Sequence, residues 1–277
     1  MVRCSACGMV YANPVPESLV TGGFYEASAE SFYLSPAKLE SDYAPVRFAR
    51  ELRLFRRYCP TGSVLDVGCS TGAFLFQLKS LGGYAVAGTD VAGTALQYAQ
   101  TRGVEVISTP FLEPGFGERR FDAITFWAVL EHLPEPRTFL NQAARCLNPG
   151  GFCFILVPNF RSLAVHLLRE RYRYIMPEHL NYFTRKTLRQ LVELTGGFDV
   201  VETRYTHFNP AVLWQDFWAG DTTRVPDAQR ADLLRRTTAL KRNPWLWPLR
   251  PIYAMVEGIL ARCHLADNLV MVLRRKQ

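Results

Sequence analysis

Ser63-Val64-Leu65-Asp66-Val67-Gly68-Cys69-Ser70-Thr71-Gly72 is the stretch from which the fold can be read. A short apolar run ends in a turn that carries two glycines, and Phe74, Leu75 and Leu78 then recur at helical spacing. The unit is strand, glycine turn, helix. Downstream, Leu81-Gly82-Gly83 closes the helix and residues 84–90 read as a second strand. A helix is expected over 94–102, and strands over 104–107 and 121–127. Pro136 suits the first turn of a helix bearing Phe139, Leu140, Ala143 and Leu147. Residues 152–157 are continuously apolar, as in a strand buried on both faces. Thr184 is placed to cap a helix that Gly196 ends, and strands are expected over 198–205 and 268–274. This alternation specifies an α/β fold, a doubly wound and mostly parallel sheet with helices on both faces.

Upstream, residues 43–58 take a helical period with Phe48, Leu52 and Phe55 on one face. Residues 1–42 read as an irregular N-terminal arm, broken by Pro14, Pro16, Gly22, Gly23 and Pro36 and studded with aromatics that suit packing on a neighbouring surface. The remainder, 43–277, reads as one domain with a helical insertion at about 207–266 before the last strand, longer than an ordinary connection. Ile252, Met255, Val256, Ile259, Leu260 and Cys263 fall on one helical face there. Packing of that face on the domain is the favoured reading, and a peripheral membrane contact the alternative.

The 277 residues are 48% hydrophobic and 21% charged, ordinary for a water-soluble globular chain. No apolar run follows a basic stretch at the start, so no signal peptide is expected. Arg250, Glu257 and Arg262 interrupt the most apolar late segment, which argues against a membrane span. Seven cysteines, an odd number, fit a reduced cytoplasmic protein better than a disulfide framework. The net charge of +7 comes largely from two basic stretches, one including Arg169, Arg171 and Arg173, the other Arg224, Arg235 and Arg236. These are a solvated surface or an attraction for an anionic substrate or membrane; no motif around them suggests nucleic acid. Nothing fixes the oligomeric state.

Ligands of such sheets bind beyond the carboxyl ends of the strands. In the first of these loops Ser70 stands where a dinucleotide-binding turn wants its second glycine, which disfavours a pyrophosphate. Asp66 can face an ammonium, and Asp90, at the end of the second strand, can accept from two ribose hydroxyls. A ligand with an amino-acid end, a ribose and no phosphate fits, and S-adenosylmethionine is such a ligand.

Val64-Leu65-Asp66-Val67-Gly68-Cys69-Ser70-Thr71-Gly72 resembles the first motif of class I, Rossmann-like, S-adenosylmethionine-dependent methyltransferases. Phe121-Asp122-Ala123-Ile124 with Val129-Leu130-Glu131-His132-Leu133 resembles their fourth-strand motif, and Leu147-Asn148-Pro149-Gly150-Gly151 the turn before their fifth strand. Pro177-Glu178-His179-Leu180-Asn181-Tyr182-Phe183-Thr184 is similar to a segment of a bacterial subgroup that modifies small molecules. The resemblance implies that Gly68 and Gly72 hold the methionine portion and Asp90 the ribose, with Asp66, Cys69, Ser70 and Val91 also among the cofactor-binding residues. Many relatives carry an acid after the third strand for the adenine; here Ser108-Thr109-Pro110 stands in its place, so backbone near Phe111 and Leu112 is expected instead. Trp127, ending the fourth strand, completes the cofactor set. The plainer reading is that these are turn glycines and a capping acid.

Methyl transfer needs a base only where the acceptor must lose a proton. His179, in the segment that in relatives folds over the acceptor, is the first candidate, and His132 the second; Glu131-His132 as a mere loop anchor is the alternative. Tyr172, Tyr174 and Tyr182 are candidate pocket walls or core. His166 and His264 read as structural, and His207 is open. Cys4-Ser5-Ala6-Cys7-Gly8 looks like one knuckle of a zinc ribbon, but structural zinc wants two such pairs, so no metal is expected there. The implied activity is methylation of a small-molecule acceptor, at oxygen or carbon. A nicotinamide-dependent oxidoreductase and a non-catalytic S-adenosylmethionine-binding protein are the alternatives.

Overall fold

The computed structural model describes residues 1–218 and 226–277, so Arg224 of the second basic stretch lies outside the described residues, as does the side chain of Trp247. The chain begins with an antiparallel hairpin of β1 (Val2–Arg3) and β2 (Val10–Tyr11). The arm that follows departs from the expected irregularity. It folds as α1 (Glu17–Val20), α2 (Gly23–Ala27), a π-helical turn Ala29–Tyr33 and α3 (Pro36–Asp42). The prolines and glycines that break any long period sit at the boundaries: Pro16 precedes α1, left-handed Gly22 precedes α2, and Pro36 occupies the first turn of α3. They punctuate helices rather than abolish them.

The next helix, α4 (Ala49–Tyr58), starts six residues later than its periodicity suggested. Then come β3 (Gly62–Val67), α5 (Ala73–Ser80), β4 (Tyr84–Thr89), α6 (Gly93–Thr101), β5 (Glu105–Val106) and β6 (Phe121–Trp127). They are followed by α7 (Pro136–Cys146), β7 (Leu147–Pro158), α8 (Leu163–Leu168), β8 (Asn181–Tyr182), α9 (Arg185–Thr195) and β9 (Phe198–Thr206). The Thr184 hydroxyl accepts from the Thr187 amide, and Gly196 ends α9 in the left-handed region, as expected. The insertion is helical: α10 (Pro210–Trp218), α11 (Asp227–Arg242) and α12 (Arg250–Arg262). Last comes β10 (Asn268–Arg275).

Seven strands form the central sheet in the order β5-β4-β3-β6-β7-β10-β9, parallel except for β10, which runs antiparallel to both neighbours. The chain leaves β3 toward β4 and β5, then returns to β6 on the other side. The switch point therefore lies between β3 and β6, and the loops that follow them share one cleft. One layer of core packs Leu65, Ile124, Phe126 and Ile155 against α7 and α9; the other packs Val64, Val86 and Phe154 against Phe55 of α4 and Phe74 and Leu75 of α5. A second, three-stranded sheet pairs β2 with β8, tying the arm to the segment after His179.

Helix α11 lies on α3 of the arm, with Ser41 and Thr238 hydroxyls 2.8 Å apart. The predicted packing of the α12 apolar face is reversed. Glu257 is the buried residue, paired with Arg50 on α4 (Nη2–Oε2 2.6 Å), while Ile252, Met255, Val256 and Ile259 are exposed. A part-buried ion pair has captured the inward face, and the apolar stripe turns out.

Candidate functional site

The loop after β3 is built by its backbone. The amides of Gly68 and Cys69 both donate to the Thr89 carbonyl at the end of β4 (2.8 and 3.1 Å). Ser70 is held at a positive φ of 49°, and its amide donates to Asp90 Oδ2 at 2.7 Å, while Ala92 donates to Oδ1 at 2.8 Å. Asp90 thus fixes the turn with one lone pair on each oxygen and keeps the others for a ligand. Gly68 and Gly72 both sit at φ 75°, and a Cβ on either would strike Val129 (2.6 Å) or Ala99 (2.8 Å). Their need for glycine comes from neighbouring protein and left-handed backbone, not from a ligand pressing on the turn. Cys69 is buried with its sulfur against Gly88, so only its backbone faces the cleft.

Asp66, 3% exposed, accepts from the Thr125 hydroxyl at 2.6 Å on neighbouring β6. Burial raises its carboxyl to about 7, partly offset by that hydrogen bond. A cation beside it would hold it ionised. Trp127 packs edge-on to Phe74 with ring centroids 5.3 Å apart, and its indole N–H is buried without a partner, as is the Ser70 hydroxyl. Buried polar atoms are ordinarily satisfied, and these two are unsatisfied donors in the loop after β3 and at the end of β6. An adenosylmethionine fits this set: an acid for its ammonium, an acid for its ribose and two unpaired donors. Val91 is exposed and stands against Gly22 of the arm. Leu112 is exposed, while Phe111 enters the core against Phe116 and Phe126.

The loop after β6 opens with Ala128 at φ 58°, a conformation that costs a non-glycine residue about 1–3 kcal/mol and tends to persist at functional sites. One helical turn, Leu130–His132, then aims Glu131 and His132 at the segment carrying His179. That segment is pinned by the Leu180 amide on the Glu131 carbonyl (2.7 Å) and by the Asn181 side chain on the Leu133 carbonyl (2.6 Å). The result brings His132 and His179 together, ring centroids 4.7 Å apart and nearly perpendicular. Donor atoms of Glu131, His132 and His179 all lie within 4.8 Å of one another. Burial lowers His132 to about 4 and His179 also falls well below its usual value; burial raises Glu131 to about 8. Both imidazoles therefore stand neutral at physiological pH.

Other residues of the site carry no motif of their own. Tyr25 of the arm sets its ring edge-on to His132 at 5.7 Å, with its hydroxyl buried and unpartnered. Arg230 of α11 pairs with Glu178 at 3.1 Å. Aromatics interrupting a polar arm are the one signal in the sequence for Tyr25; nothing local signals Arg230, two hundred residues away. Tyr174 stacks on His179 (6.4 Å, 20°), whereas Tyr172 and Tyr182 are core. Outside the cleft, His207 bonds Glu51 (2.7 Å), His166 bonds the Ser162 carbonyl (2.8 Å) and His264 stacks on Tyr205. Cys4 and Cys7 lie in the β1–β2 hairpin, and neither joins a three-donor group among the described residues.

A doubly wound sheet with this glycine turn, paired acids and orphaned donors at its switch point defines a class I, S-adenosylmethionine-dependent methyltransferase. Residues 42–203 match the family described as methyltransferase domain, and the chain belongs to that family. Among curated proteins it is similar to a ubiquinone biosynthesis O-methyltransferase of Albidiferax ferrireducens, 29% identical over 219 residues that cover 68% of this chain and 80% of the relative. Solved structures with the same fold include a methyltransferase of Thermotoga maritima described as a possible histamine N-methyltransferase (TM-score 0.58, 16% identity, 92% of this chain and 99% of the other). The N-methyltransferase NodS of Bradyrhizobium japonicum, solved with S-adenosylhomocysteine, is another (TM-score 0.53, 17% identity, 91% and 98%). The oxidoreductase and non-catalytic alternatives are not favoured.

Proposed function

We propose that the chain methylates a hydroxyl oxygen of a small, lipophilic acceptor, and that it does so at a membrane surface. The observation that carries the oxygen assignment is the group Glu131, His132 and His179 beside the cofactor loop: a carboxyl and two neutral imidazoles can hold a hydroxyl and assist the loss of its proton. The O-methyltransferase relatives support the same choice. S-adenosylmethionine supplies an electrophilic methyl group. Asp66 and the turn 68–72 bind its amino-acid end, Asp90 and Val91 its ribose, Leu112 backbone its adenine, and Trp127 closes the pocket wall. His179 and His132 orient the acceptor oxygen, while Tyr25 and Tyr174 exclude water.

Lipophilicity and the membrane contact rest on the outward apolar face of α12, with Trp245 88% exposed just before it and Lys241, Arg242 and Arg250 close by in sequence. Among the described residues no helix is long and apolar enough to cross a membrane. An amphipathic helix with flanking cations binds anionic interfaces by apolar burial and charge together. The protein is expected to pellet with phosphatidylglycerol-containing vesicles, and an Ile252→Glu, Ile259→Glu double variant to stay in the supernatant. In the same vesicles, methyl-labelled S-adenosylmethionine should yield a labelled aryl ether from a prenylated catechol. A parent protein that stays in the supernatant would refute the membrane contact, and equal pelleting of the two proteins would refute the part of α12 in it. Labelled product only from amine acceptors would refute the oxygen assignment.

A further inference from the structure

We infer that Glu131, His132 and His179 form a binding site for one divalent cation of the zinc type, with a coordination position left open to the acceptor's hydroxyl. Only the acceptor's part in this rests on the methyl-transfer reading; the ion site stands on the side chains alone.

Glu131 is 1% exposed, and neither of its carboxyl oxygens has a hydrogen-bond partner. Desolvating a carboxyl with both oxygens empty is costly, and such groups are usually paired or bound to a metal. The two imidazoles are already set as ligands. His132 Nδ1 lies 2.9 Å from the Glu178 carbonyl, which can only accept, so Nδ1 carries the hydrogen and Nε2 offers its lone pair. The His179 ring is held between Tyr174, on which it stacks, and His132, which it meets edge to face. A ring nitrogen tied to a backbone carbonyl is the usual support behind a metal-ligating histidine, because it fixes tautomer and orientation.

Two imidazoles and one carboxylate are the donors of catalytic zinc sites, which keep a further position for water or substrate. Donors about 2.1 Å from a tetrahedral ion stand about 3.4 Å apart. The three present donors, all within 4.8 Å of one another, reach that spacing by side-chain movement of about an ångström. The nearby positive charge of Arg230 is balanced by Glu178 and Asp227, at 3.1 and 3.4 Å. Beside the site the Tyr25 hydroxyl, buried and unpartnered, is a donor for whatever fills the open position. Binding of the acceptor there is a proton exchange: the O–H bond breaks, the proton leaves to solvent, and the oxygen lone pair forms the bond to the ion.

The test uses the full chain in a Cys4→Ser, Cys7→Ser background, so that the amino-terminal thiols cannot take up metal, after stripping with chelator. Titration with Zn²⁺ alone, followed by calorimetry, should show one equivalent bound, and Glu131→Gln or His179→Ala should weaken it at least tenfold. Co²⁺ substitution in the parent should give an absorption spectrum of a four- or five-coordinate nitrogen and oxygen site. No uptake, a six-coordinate aquo-type Co²⁺ spectrum, or Zn²⁺ affinity unchanged in folded Glu131→Gln protein would overturn the inference. If the variants unfold, the parent's stoichiometry and Co²⁺ spectrum decide it. S-adenosylhomocysteine affinity, measured alongside, separates a failed ion site from a failed methyltransferase reading: intact cofactor affinity without ion uptake refutes only the former.

Discussion

His179→Ala is expected to bind S-adenosylhomocysteine as the parent does and to lose turnover by about 10²–10⁴-fold, the range a positioned proton-handling group supplies. The side chain sits on the segment that crosses the open end of the cleft, ring to ring with His132 and stacked under Tyr174. It touches none of the atoms that order the cofactor loop, which hang on Thr89 and Asp90. A purely structural His179 would instead lose thermal stability and cofactor affinity together. Parental turnover with saturating acceptor would remove it from the acceptor side altogether.

Gly72→Ala is expected to be strongly destabilising. At φ 75° an alanine is strained by about 1–3 kcal/mol. Its Cβ would in addition lie 2.8 Å from Ala99 Cβ and 3.2 Å from Val104, and Ala99 belongs to α6, so relief requires moving a helix. The total of about 2–4 kcal/mol should lower the melting temperature by roughly 5–15 °C. Gly8 provides the control: it shares a positive φ of 78°, but a Cβ there meets nothing within 4 Å, so Gly8→Ala carries only the backbone cost. Equal melting shifts for the two would show that close packing behind the glycine turn is not what demands glycine.

The sheet was legible because parallel strands buried on both faces write themselves as apolar runs between glycine turns; residues 121–127 matched the strand to the residue. The arm was not, because helices of four to seven residues have no room for a period, and proline marks a helix start as readily as a break. The outward face of α12 was misread for another reason. Periodicity reports that a helix has an apolar side but not which side the domain takes, and the Arg50–Glu257 pair between α4 and α12 is invisible along the chain. In the site, the turn 68–72 and Asp90 could be read from motif and position, whereas Tyr25 and Arg230 arrive from elements docked by tertiary packing. Glu131 stood in plain view as an acid beside His132; only the isolation of its two carboxyl oxygens distinguishes it from a loop anchor.

The central claim is that the cleft at the β3–β6 switch point holds S-adenosylmethionine through Asp90 and the turn before it. Calorimetric titration of the purified protein with S-adenosylhomocysteine and with NADPH tests it most directly. The parent should bind the first and not the second, and Asp90→Ala, still folded by circular dichroism, should bind S-adenosylhomocysteine roughly tenfold to a hundredfold more weakly, the worth of hydrogen bonds to a charged group. Binding of NADPH in place of S-adenosylhomocysteine, or an Asp90→Ala protein with unchanged affinity, would contradict it.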